Sequence, residues 1–323
     1  MAAQPESRQW NSRTTADEVL AGYNLAGRLV VITGGSGGIG LAAALAFARA
    51  GADVVIAGRT PAKVEAALGE LLSASRGGQV LAHHLDLMSQ DSISRFAAQI
   101  RRLERPVDVL LANAGIIGPL DRNVDGIEAG FMTSYVGHAI LASELCAELT
   151  QRAGSRVVTV SSFGHQFSPV VFDDINFERR EYRPFASYGQ SKTASILLAV
   201  RLADAWREHG TDAFSLHPGT IITEVTRSLK REDFQEARDR GAVTPPDQIK
   251  TIEQGAATSL WASVEPSLHG RGPLYLEDCG IARIIDEPNF TSGVMRYALD
   301  PETATRLWSA TEAMLGRSLP LVH

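Results

Sequence analysis

Two kinds of hydrophobic pattern alternate along most of the chain. Short, nearly continuous apolar runs, such as RLVVITGG at 28–35 and DVVIAGR at 53–59, are typical of strands that are buried on both faces. Longer helical stretches separate them, and Thr15 with Glu18 forms a capping-box pattern before the first. The remaining strands are predicted at 79–87, 107–115, 155–162, 212–219 and 272–278, and the helices at 16–22, 38–52, 61–75, 90–105, 124–152, 188–209 and 245–263.

Seven predicted strands that alternate with helices indicate an α/β fold with one doubly wound, seven-stranded parallel sheet. No linker rich in proline, glycine and serine divides the chain, and no internal repeat is visible. We therefore expect a single domain at 28–280. An N-terminal extension at 1–27 precedes it, and a C-terminal tail at 281–323 is expected to pack on it.

The 323-residue chain has a formal net charge of −6 and no run of basic residues, so its composition predicts no nucleic-acid partner. Its two cysteines cannot form a disulfide framework or a zinc site, and they fit a reducing compartment. No window reaches the roughly 18 apolar residues of a membrane span, and the polar N-terminus lacks the apolar stretch of a signal peptide. We therefore expect a soluble, cytoplasmic protein without a membrane partner.

The segment TGGSGGIG at 33–40 predicts a nucleotide-binding turn, because its glycines follow a predicted strand and precede a predicted helix. Glycine permits the tight turn and lets the backbone approach a pyrophosphate, which then lies at the positive end of the helix. We assign Gly34, Gly38, Ile39 and Gly40 to cofactor binding. The alternative is a simple turn between a strand and a helix.

Arg59 follows the second predicted strand, at the position where an acidic residue would bind the ribose 2′-hydroxyl of NAD. An arginine at this position instead pairs with the 2′-phosphate of NADP. Ser36 in the glycine-rich turn is a candidate second donor. We therefore predict that NADP(H) is favoured over NAD(H); the alternative is an arginine that is simply solvated at the surface.

Polar and small residues end the third and fourth predicted strands. Asp86 is placed to accept from the adenine amino group, and the alternative is a cap for the helix that begins near Ser89. Asn113 is expected to tie neighbouring strands together, and the two small residues after it leave room for the cofactor. The residues assigned to the cofactor here are Asp86, Leu87, Asn113, Ala114 and Gly115.

The segment SYGQSK at 187–192 places Tyr188 and Lys192 one turn apart on one face of a helix. A phenol with a pKa near ~10 is a poor proton donor or acceptor at neutral pH. A nearby ammonium favours the phenolate and lowers that pKa towards working pH. The pair therefore predicts general acid–base chemistry; the alternative is an ordinary exposed helix face.

The glycine-rich turn, NAG at 113–115, SS at 161–162 and the Tyr-x-x-x-Lys pair follow one another at predicted strand ends. This order resembles the short-chain dehydrogenase/reductase family over residues 28–280. The long segment between the serines and Tyr188 is similar to that of the branch with retinol-dehydrogenase-like and WW-domain oxidoreductase-like members. The resemblance implies a Rossmann-type fold and an NADP-dependent enzyme that acts on CH–OH and C=O groups.

The resemblance also implies residue roles. Tyr188 is expected to protonate a carbonyl oxygen as hydride reaches the carbon, and Lys192 is expected to bind the nicotinamide ribose as well. Ser162, rather than Ser161, is expected to donate a hydrogen bond to the substrate oxygen and so stabilise developing charge. In the segment HPGTIIT, the residues implied to lie at the nicotinamide are Pro218, Gly219, Ile221 and Thr223.

Ser134 departs from the family pattern, because relatives usually carry an asparagine there. In the family, that asparagine distorts its helix and helps to hold a water that joins the lysine to bulk solvent. A serine is expected to hold this water less well, or Thr133 or the backbone to hold it instead. We assign Ser134 to the catalytic group and expect reduced but real turnover, with shifted specificity and lost function as alternatives.

The segment FGHQFSPVVF after Ser162 is apolar and aromatic, and the stretch at 224–241 reads as a short helical lid. Both predict a hydrophobic ketone or aldehyde as substrate; core packing of the aromatic residues is an equal alternative. His165 is a candidate substrate contact, although a lone loop histidine is more often incidental. His83 and His84 lack the spacing of a metal site, so no metal is expected.

The leading interpretation is an NADPH-dependent reductase of a hydrophobic carbonyl, reversible as an alcohol dehydrogenase. Two alternatives stay open: a C=C reductase on the same scaffold, and an NADP(H)-binding regulatory protein with weak catalysis. The family implies a homodimer or homotetramer through the helix with the Tyr/Lys pair and the helix before it. Apolar rows in both helices are equally compatible with packing on the sheet.

Overall fold

A sheet of eight strands runs through the part of the chain that the computed structural model describes, residues 10–223 and 226–321. Its strands are β1 (Leu29–Thr33), β2 (Asp53–Gly58), β3 (Val80–His84), β4 (Val109–Ala112), β5 (Arg156–Val160), β6 (Asp212–His217), β7 (Leu274–Glu277) and β8 (Gly280–Ile281). Their order is β3-β2-β1-β4-β5-β6-β7-β8, and the pairs from β3 to β7 are parallel. This is the predicted doubly wound α/β fold.

The last strand of the sheet is one more than the seven predicted from the sequence. β8 runs antiparallel to β7, with Glu277 opposite Gly280. The two residues between them, Asp278 and Cys279, both have left-handed backbone, with φ of 50° and 56°, which is the geometry of a type I′ hairpin turn. Asn-Gly or Asp-Gly is the usual signal for this turn, so an Asp-Cys hairpin is not visible in the sequence pattern.

Helices cover both faces of the sheet and create two cores. They are α1 (Ala16–Leu20), α2 (Gly38–Arg49), α3 (Pro61–Ala74), α4 (Gln90–Arg101), α5 (Ala129–Phe131), α6 (Gly137–Glu144), α7 (Cys146–Thr150), α8 (Pro184–Trp206), α9 (Arg231–Asp239), α10 (Ile252–Val264) and α11 (Pro301–Leu315). Leu29 and Val31 face the core under α4, α6, α8 and α11, whereas Val30 and Ile32 face the core under α1, α2, α3 and α10. Successive residues of a strand point to opposite faces.

The long helix predicted at 124–152 is broken into three pieces. It begins only at α5, because the side chain of Glu128 accepts from two amides of that first turn and caps it. A π-helical turn at Met132–Val136 joins α5 to α6. Leu145, with φ −105° and ψ 16°, separates α6 from α7. The π turn matters most, because it contains one of the predicted catalytic residues.

The C-terminal tail covers α8. Tyr135 in the π turn shares a 2.9 Å hydrogen bond with Thr311 of α11, and the indole of Trp206 donates to the carbonyl of Leu321 at 2.7 Å. The apolar rows of α6 and α8 are therefore buried within the chain. An association through these rows would require α11 to move, and the homodimer or homotetramer stays a prediction. Two further short strands of the tail, β9 (Ile284–Ile285) and β10 (Val294–Met295), pair in parallel.

Candidate active site

The predicted cofactor and catalytic residues meet at the carboxyl ends of the parallel strands. The chain order reverses between β1 and β4, and open α/β sheets bind ligands in the crevice at such a point. The glycine-rich turn follows β1, Asn113 follows β4, the serine pair follows β5 and Pro218 follows β6. α8 carries Tyr188 and Lys192 to the same edge.

The glycine-rich turn is tightly packed inside and open outside. Gly34 has left-handed backbone (φ 66°), and a side chain at Gly40 would collide with the Gly34 carbonyl and come within 2.5 Å of Nδ2 of Asn113. No described atom lies within 4 Å of where a side chain of Gly37 would begin. No side chain in the described residues caps α2, so its first amides are left for another acceptor. This cradle fits a dinucleotide pyrophosphate.

Gly38 and Ile39 lie beside the loop after β6. A side chain at Gly38, where φ is 52°, would begin 3.9 Å from the methyl group of Thr223. Ile39 and Ile221 both pack against Gly255 of α10. A side chain at Gly255 would begin 3.4 Å from Cγ1 of Ile39 and 2.8 Å from Cγ1 of Ile221. The fold therefore brings two segments that are far apart in sequence to one groove.

The turn after β6 packs against Lys250, a residue that the sequence analysis did not identify. Pro218 is buried, and Gly219 has left-handed backbone with φ 96°. A side chain at Gly219 would begin 2.5 Å from Cδ of Lys250, whose ammonium pairs with Asp278. The amide of Gly219 donates to Nδ1 of His217 at 3.4 Å. Lys250 and His217 carry no sequence signal, because their contacts arise only when β6, β7 and α10 assemble.

Asn113 ties β4 to β1, as predicted. Its side-chain amide donates to the carbonyls of Thr33 at 3.0 Å and Gly34 at 3.3 Å. The backbone amides of Asn113 and Ala114 both donate to the Thr33 hydroxyl at 3.1 Å. These bonds fix the floor of the crevice at the switch point.

Asp86 does not cap the helix that follows it. Ser89 is the N-cap of α4, and its hydroxyl accepts from the amide of Ser92. One oxygen of the half-buried Asp86 carboxylate accepts from the amide of Met88 at 3.0 Å, which leaves the other for a further donor. Leu87 is buried, and its carbonyl lies 2.8 Å from where a side chain of Gly137 would begin.

The residues predicted to distinguish the two cofactors, Arg59 and Ser36, lie at or beside the end of β2. Arg59 is exposed and forms no ion pair with any residue that the structure describes. The hydroxyl of Ser36 lies 2.6 Å from where a side chain would begin at Gly58, the residue before Arg59. A cation and a hydroxyl at one strand end can together hold a phosphate.

The two serines after β5 have different environments. The hydroxyl of Ser161 is buried and donates to the carbonyl of Lys192 at 2.8 Å. The hydroxyl of Ser162 accepts from the amide of Gly164 at 3.0 Å. A side chain at Gly164 would begin 3.3 Å from this hydroxyl and 2.7 Å from ring carbon Cε1 of Tyr188. Only Ser162 is therefore placed beside the predicted proton donor.

Tyr188 and Lys192 are neighbours, but their electrostatics differ from the expectation. The ammonium of Lys192 lies 5.5 Å from the Tyr188 ring centroid and donates to the carbonyl of Val160 at 2.9 Å. Burial raises the pKa of Tyr188, and the nearby Ser162 hydroxyl opposes that rise only in part. Burial also lowers the pKa of Lys192 to about 8. Among the described residues, burial therefore has the largest effect on the pKa of Tyr188.

Ser134 lies in the π turn, so the helix is distorted here without an asparagine. Its carbonyl accepts from Nδ1 of His138 and from the hydroxyl of Ser195, both at 3.0 Å. Its own hydroxyl is buried and has no hydrogen-bond partner within the described part of the chain. That hydroxyl and Nζ of Lys192 lie 3.2 and 2.8 Å from where a side chain of Gly115 would begin. Both groups therefore face one small space.

Aromatic side chains form a cluster beside residues 161–166, the segment after β5 that we call the serine loop. Phe167 packs on Phe185 and Phe290, with ring centroids 5.2 and 4.5 Å apart. Phe234 of α9 reaches Phe185 at 6.0 Å. The segment predicted to be a lid is thus a helix docked on this cluster, and residues 224–225 of that segment lie outside the described residues.

His165 does not face the crevice, although it was a candidate substrate contact. It is 0% exposed and lies between the serine loop and the C-terminal segment. Among the described residues, no three His, Cys, Asp or Glu side chains form a group suited to a metal ion. Within the same residues, we find no helix with the length and apolarity to cross a bilayer.

Residues 28–233 match the family model described as short chain dehydrogenase. A "Probable oxidoreductase" of Streptomyces antibioticus is 40% identical over 301 residues, which cover 90% of this chain and 99% of that protein. Retinol dehydrogenase 12 of Mus musculus is 33% identical over 291 residues, covering 90% of this chain and 87% of that protein.

Solved structures give the same fold. An uncharacterized protein from Mycobacterium paratuberculosis aligns with a TM-score of 0.70 and 30% identity, covering 94% of this chain and 98% of that one. A protein of Beutenbergia cavernae, described as an NAD(P)-dependent gluconate 5-dehydrogenase with NADP bound at low occupancy, aligns with a TM-score of 0.61 and 26% identity. That alignment covers 79% of this chain and 97% of the other.

Proposed function

The chain belongs to the short-chain dehydrogenase/reductase family, in its retinol-dehydrogenase-like branch, and we propose that it reduces a hydrophobic ketone or aldehyde to the alcohol with NADPH. The observation that carries the proposal is that the Ser162 hydroxyl and ring carbon Cε1 of Tyr188 lie 3.3 and 2.7 Å from one point, where a side chain of Gly164 would begin. The Lys192 ammonium lies 5.5 Å from the centroid of the same ring. Two hydroxyls that converge on one point can both donate to a single carbonyl oxygen bound there.

Each side chain then has a defined task. The bound nicotinamide supplies the hydride. Ser162 donates a hydrogen bond to the carbonyl oxygen of the substrate. The phenol of Tyr188 transfers its proton to that oxygen, where the π electrons of the substrate C=O bond become a lone pair. The raised pKa of Tyr188 keeps the phenol protonated before this step. The Lys192 ammonium then stabilises the phenolate that remains.

Ser134 and Lys192 supply a route for the returning proton in this proposal. Their polar atoms face the same small space beside Gly115. A buried hydroxyl without a protein partner is a typical ligand of an ordered water. A water held between these two groups would connect the lysine to solvent.

Arg59 and Ser36 are the basis for preferring NADPH. Arg59 follows β2, and the Ser36 hydroxyl lies beside Gly58, the residue before Arg59. In folds of this type, the 2′-substituent of the adenosine ribose binds at that strand end. An exposed guanidinium without a carboxylate partner among the described residues is free to pair with a phosphate. The NADP in the Beutenbergia cavernae relative is compatible with this preference.

The aromatic cluster of Phe167, Phe185 and Phe290 supports an apolar substrate. It lies directly after the serine loop, and α9 places Phe234 on its outer side. Apolar walls with a few converging polar groups are typical of sites for hydrophobic small molecules.

The test follows NADPH absorbance with the purified protein and a panel of hydrophobic ketones, aldehydes and enones, with product analysis. We expect alcohols from the ketones and aldehydes, at a higher kcat/KM with NADPH than with NADH. Saturated ketones from the enones, with the carbonyl intact, would instead support C=C reduction. Tight NADPH binding without turnover across the panel would favour an NADP(H)-binding regulatory protein.

A further inference from the structure

His165 joins the serine loop to the C-terminal segment. It lies three residues after Ser162, in a 3-10 turn at Phe163–Phe167. Its Nδ1 lies 2.6 Å from the carbonyl oxygen of Ser162. Its Nε2 lies 3.1 Å from the backbone amide of Met295, which is 130 residues away in sequence.

These two partners determine the tautomer of the imidazole. The carbonyl oxygen of Ser162 can only accept, so Nδ1 carries the hydrogen. The amide of Met295 can only donate, so Nε2 carries none. The two bonds can exist together only in the neutral ring, because a protonated ring has no acceptor for the Met295 amide. Burial lowers the pKa of His165 to about 4. The imidazole is therefore neutral at neutral pH, where it can form both bonds.

The C-terminal segment is held at several points beside this contact. The hydroxyl of Tyr297 donates to the carbonyl of His165 at 2.7 Å. The side chain of Gln166 accepts from the amides of Asn289 and Phe290 at 2.9 and 2.7 Å. Two adjacent side chains of the serine loop thus bind one stretch of the tail, which makes that stretch a fixed support.

We infer that His165 is a positioning residue for the Ser162 hydroxyl, with the tail segment at 289–297 as its anchor. The inference rests on the proposed function of Ser162. The carbonyl of Ser162 accepts from both the amide and the imidazole of His165, at 3.1 and 2.6 Å. Two donors on one carbonyl fix the orientation of that peptide and, through it, the direction of the Ser162 side chain towards Tyr188.

Asparagine and glutamine separate the two bonds of the imidazole. In His165→Asn, the side-chain NH2 replaces the Nδ1 donor to Ser162 but cannot reach Met295. In His165→Gln, the side-chain oxygen replaces the Nε2 acceptor for Met295 but leaves the Ser162 carbonyl without its imidazole donor. If His165 positions Ser162, the asparagine variant therefore keeps more activity than the glutamine variant.

We expect kcat to fall by about 100-fold in His165→Gln and by less than about 10-fold in His165→Asn, because small misplacements of a catalytic group have effects of this size. The dissociation constant of NADPH should not change in either variant. Gln166→Ala is the matched control, since it removes a neighbouring contact with the tail and leaves both bonds of the His165 imidazole in place. Its kcat should stay within about threefold of wild type. Equal kcat values for the asparagine and glutamine variants, or a more active glutamine variant, would overturn the inference.

A second measurement does not depend on turnover. The amides of Gly164 and His165 donate to the hydroxyl and the carbonyl of Ser162, so hydrogen exchange across 160–168 reports whether Ser162 is held. We expect faster exchange there in His165→Gln than in His165→Asn. Equal exchange in both variants would contradict positioning by His165. A wild-type protein that reduces no carbonyl would count against the proposed function alone.

Discussion

The proposed preference for NADPH rests on Arg59. In Arg59→Gln, we expect the dissociation constant of NADPH to rise by about 10- to 100-fold, because a charge-assisted hydrogen bond contributes about 1.5–3 kcal/mol. NADH binding should change by less than about threefold, since NADH has no 2′-phosphate. Fluorescence titration of both cofactors measures the difference.

The control for this variant is Arg102→Gln. Arg102 is an exposed arginine at the end of α4, away from the glycine-rich turn, so its replacement removes the same charge from the protein. An equal loss of NADPH and NADH affinity in Arg59→Gln would mean that Arg59 does not distinguish the cofactors.

Replacing Ser134 is expected to affect catalytic rate and protein stability differently. Its buried hydroxyl has no partner within the described residues, and a buried unsatisfied polar group costs about 1–3 kcal/mol. If the hydroxyl holds a water for Lys192, Ser134→Ala should lower kcat by about 10-fold without lowering the free energy of unfolding. Urea unfolding and steady-state kinetics are the two measurements. Unchanged kcat and an unchanged pH profile would leave Ser134 without a catalytic role.

Local spacing explains which site residues the sequence reveals. Tyr188 and Lys192 are one helical turn apart, and Ser162 lies two residues after β5, so each could be predicted from a short segment. His165 could not, because its second partner is 130 residues away. The electrostatics of the tyrosine could not either, since they depend on how deeply the fold buries it.

At the scale of elements, α9 is the part of the site whose effect on substrates is most testable. Phe234 contacts Phe185, and Ala237 of the same helix is buried on the aromatic cluster. In Phe234→Ala, we expect the KM for a bulky hydrophobic ketone to rise by about 10-fold, because a half-buried aromatic side chain contributes roughly half of the about 3 kcal/mol that full burial provides. Glu232→Ala is the control, as it changes an exposed position of α9. A KM that rises equally for a small polar aldehyde would indicate damage to the site in general.

Element boundaries follow the sequence where a cap or a buried run defines them. Thr15 and Glu18 form the predicted capping box of α1, and the parallel strands lie within the predicted apolar runs. At the π turn Met132–Val136, the carbonyl of Ser134 accepts from His138 of the following turn and from Ser195, which is 61 residues away in sequence. The second contact arises only when α8 packs on the turn, so a short segment of sequence does not reveal it.

At the scale of the whole molecule, three buried histidines among the described residues tie stability to pH. Burial lowers the pKa of His138 and His165 to about 4 and that of His217 to about 3. Protonation therefore favours the unfolded chain, where histidine titrates near pH ~6.5. Their contribution to stability is complete above that pH and is lost as the pH falls towards the folded-state values. Each adds a slope of up to about 1.4 kcal/mol per pH unit.

We expect the free energy of unfolding in urea to fall steeply between pH 6.5 and pH 5. Glu128 and Glu277 act in the opposite sense as the pH falls through their own range, since burial raises the pKa of each carboxyl. The slope should be smaller in His165→Asn and unchanged in His209→Gln, because His209 is exposed. A stability that stays flat over this interval would contradict the burial of these imidazoles.

The tail also acts at the scale of the whole molecule. Residues after 280 were predicted to pack on the domain, and the described part of them covers α8 and anchors the serine loop. The sequence could not specify these contacts, because the tail has no motif and its partners lie on distant elements. The catalytic edge of the sheet and the tail are therefore parts of one packed unit.

The central claim is that Tyr188 donates the proton to a carbonyl oxygen. The most direct test compares kcat of Tyr188→Phe with that of wild type on a ketone that wild type reduces with NADPH. The account predicts a fall of about 1,000-fold, within the range for loss of a general acid, with an unchanged dissociation constant for NADPH. A phenylalanine variant that keeps more than about a tenth of the wild-type kcat would contradict the account.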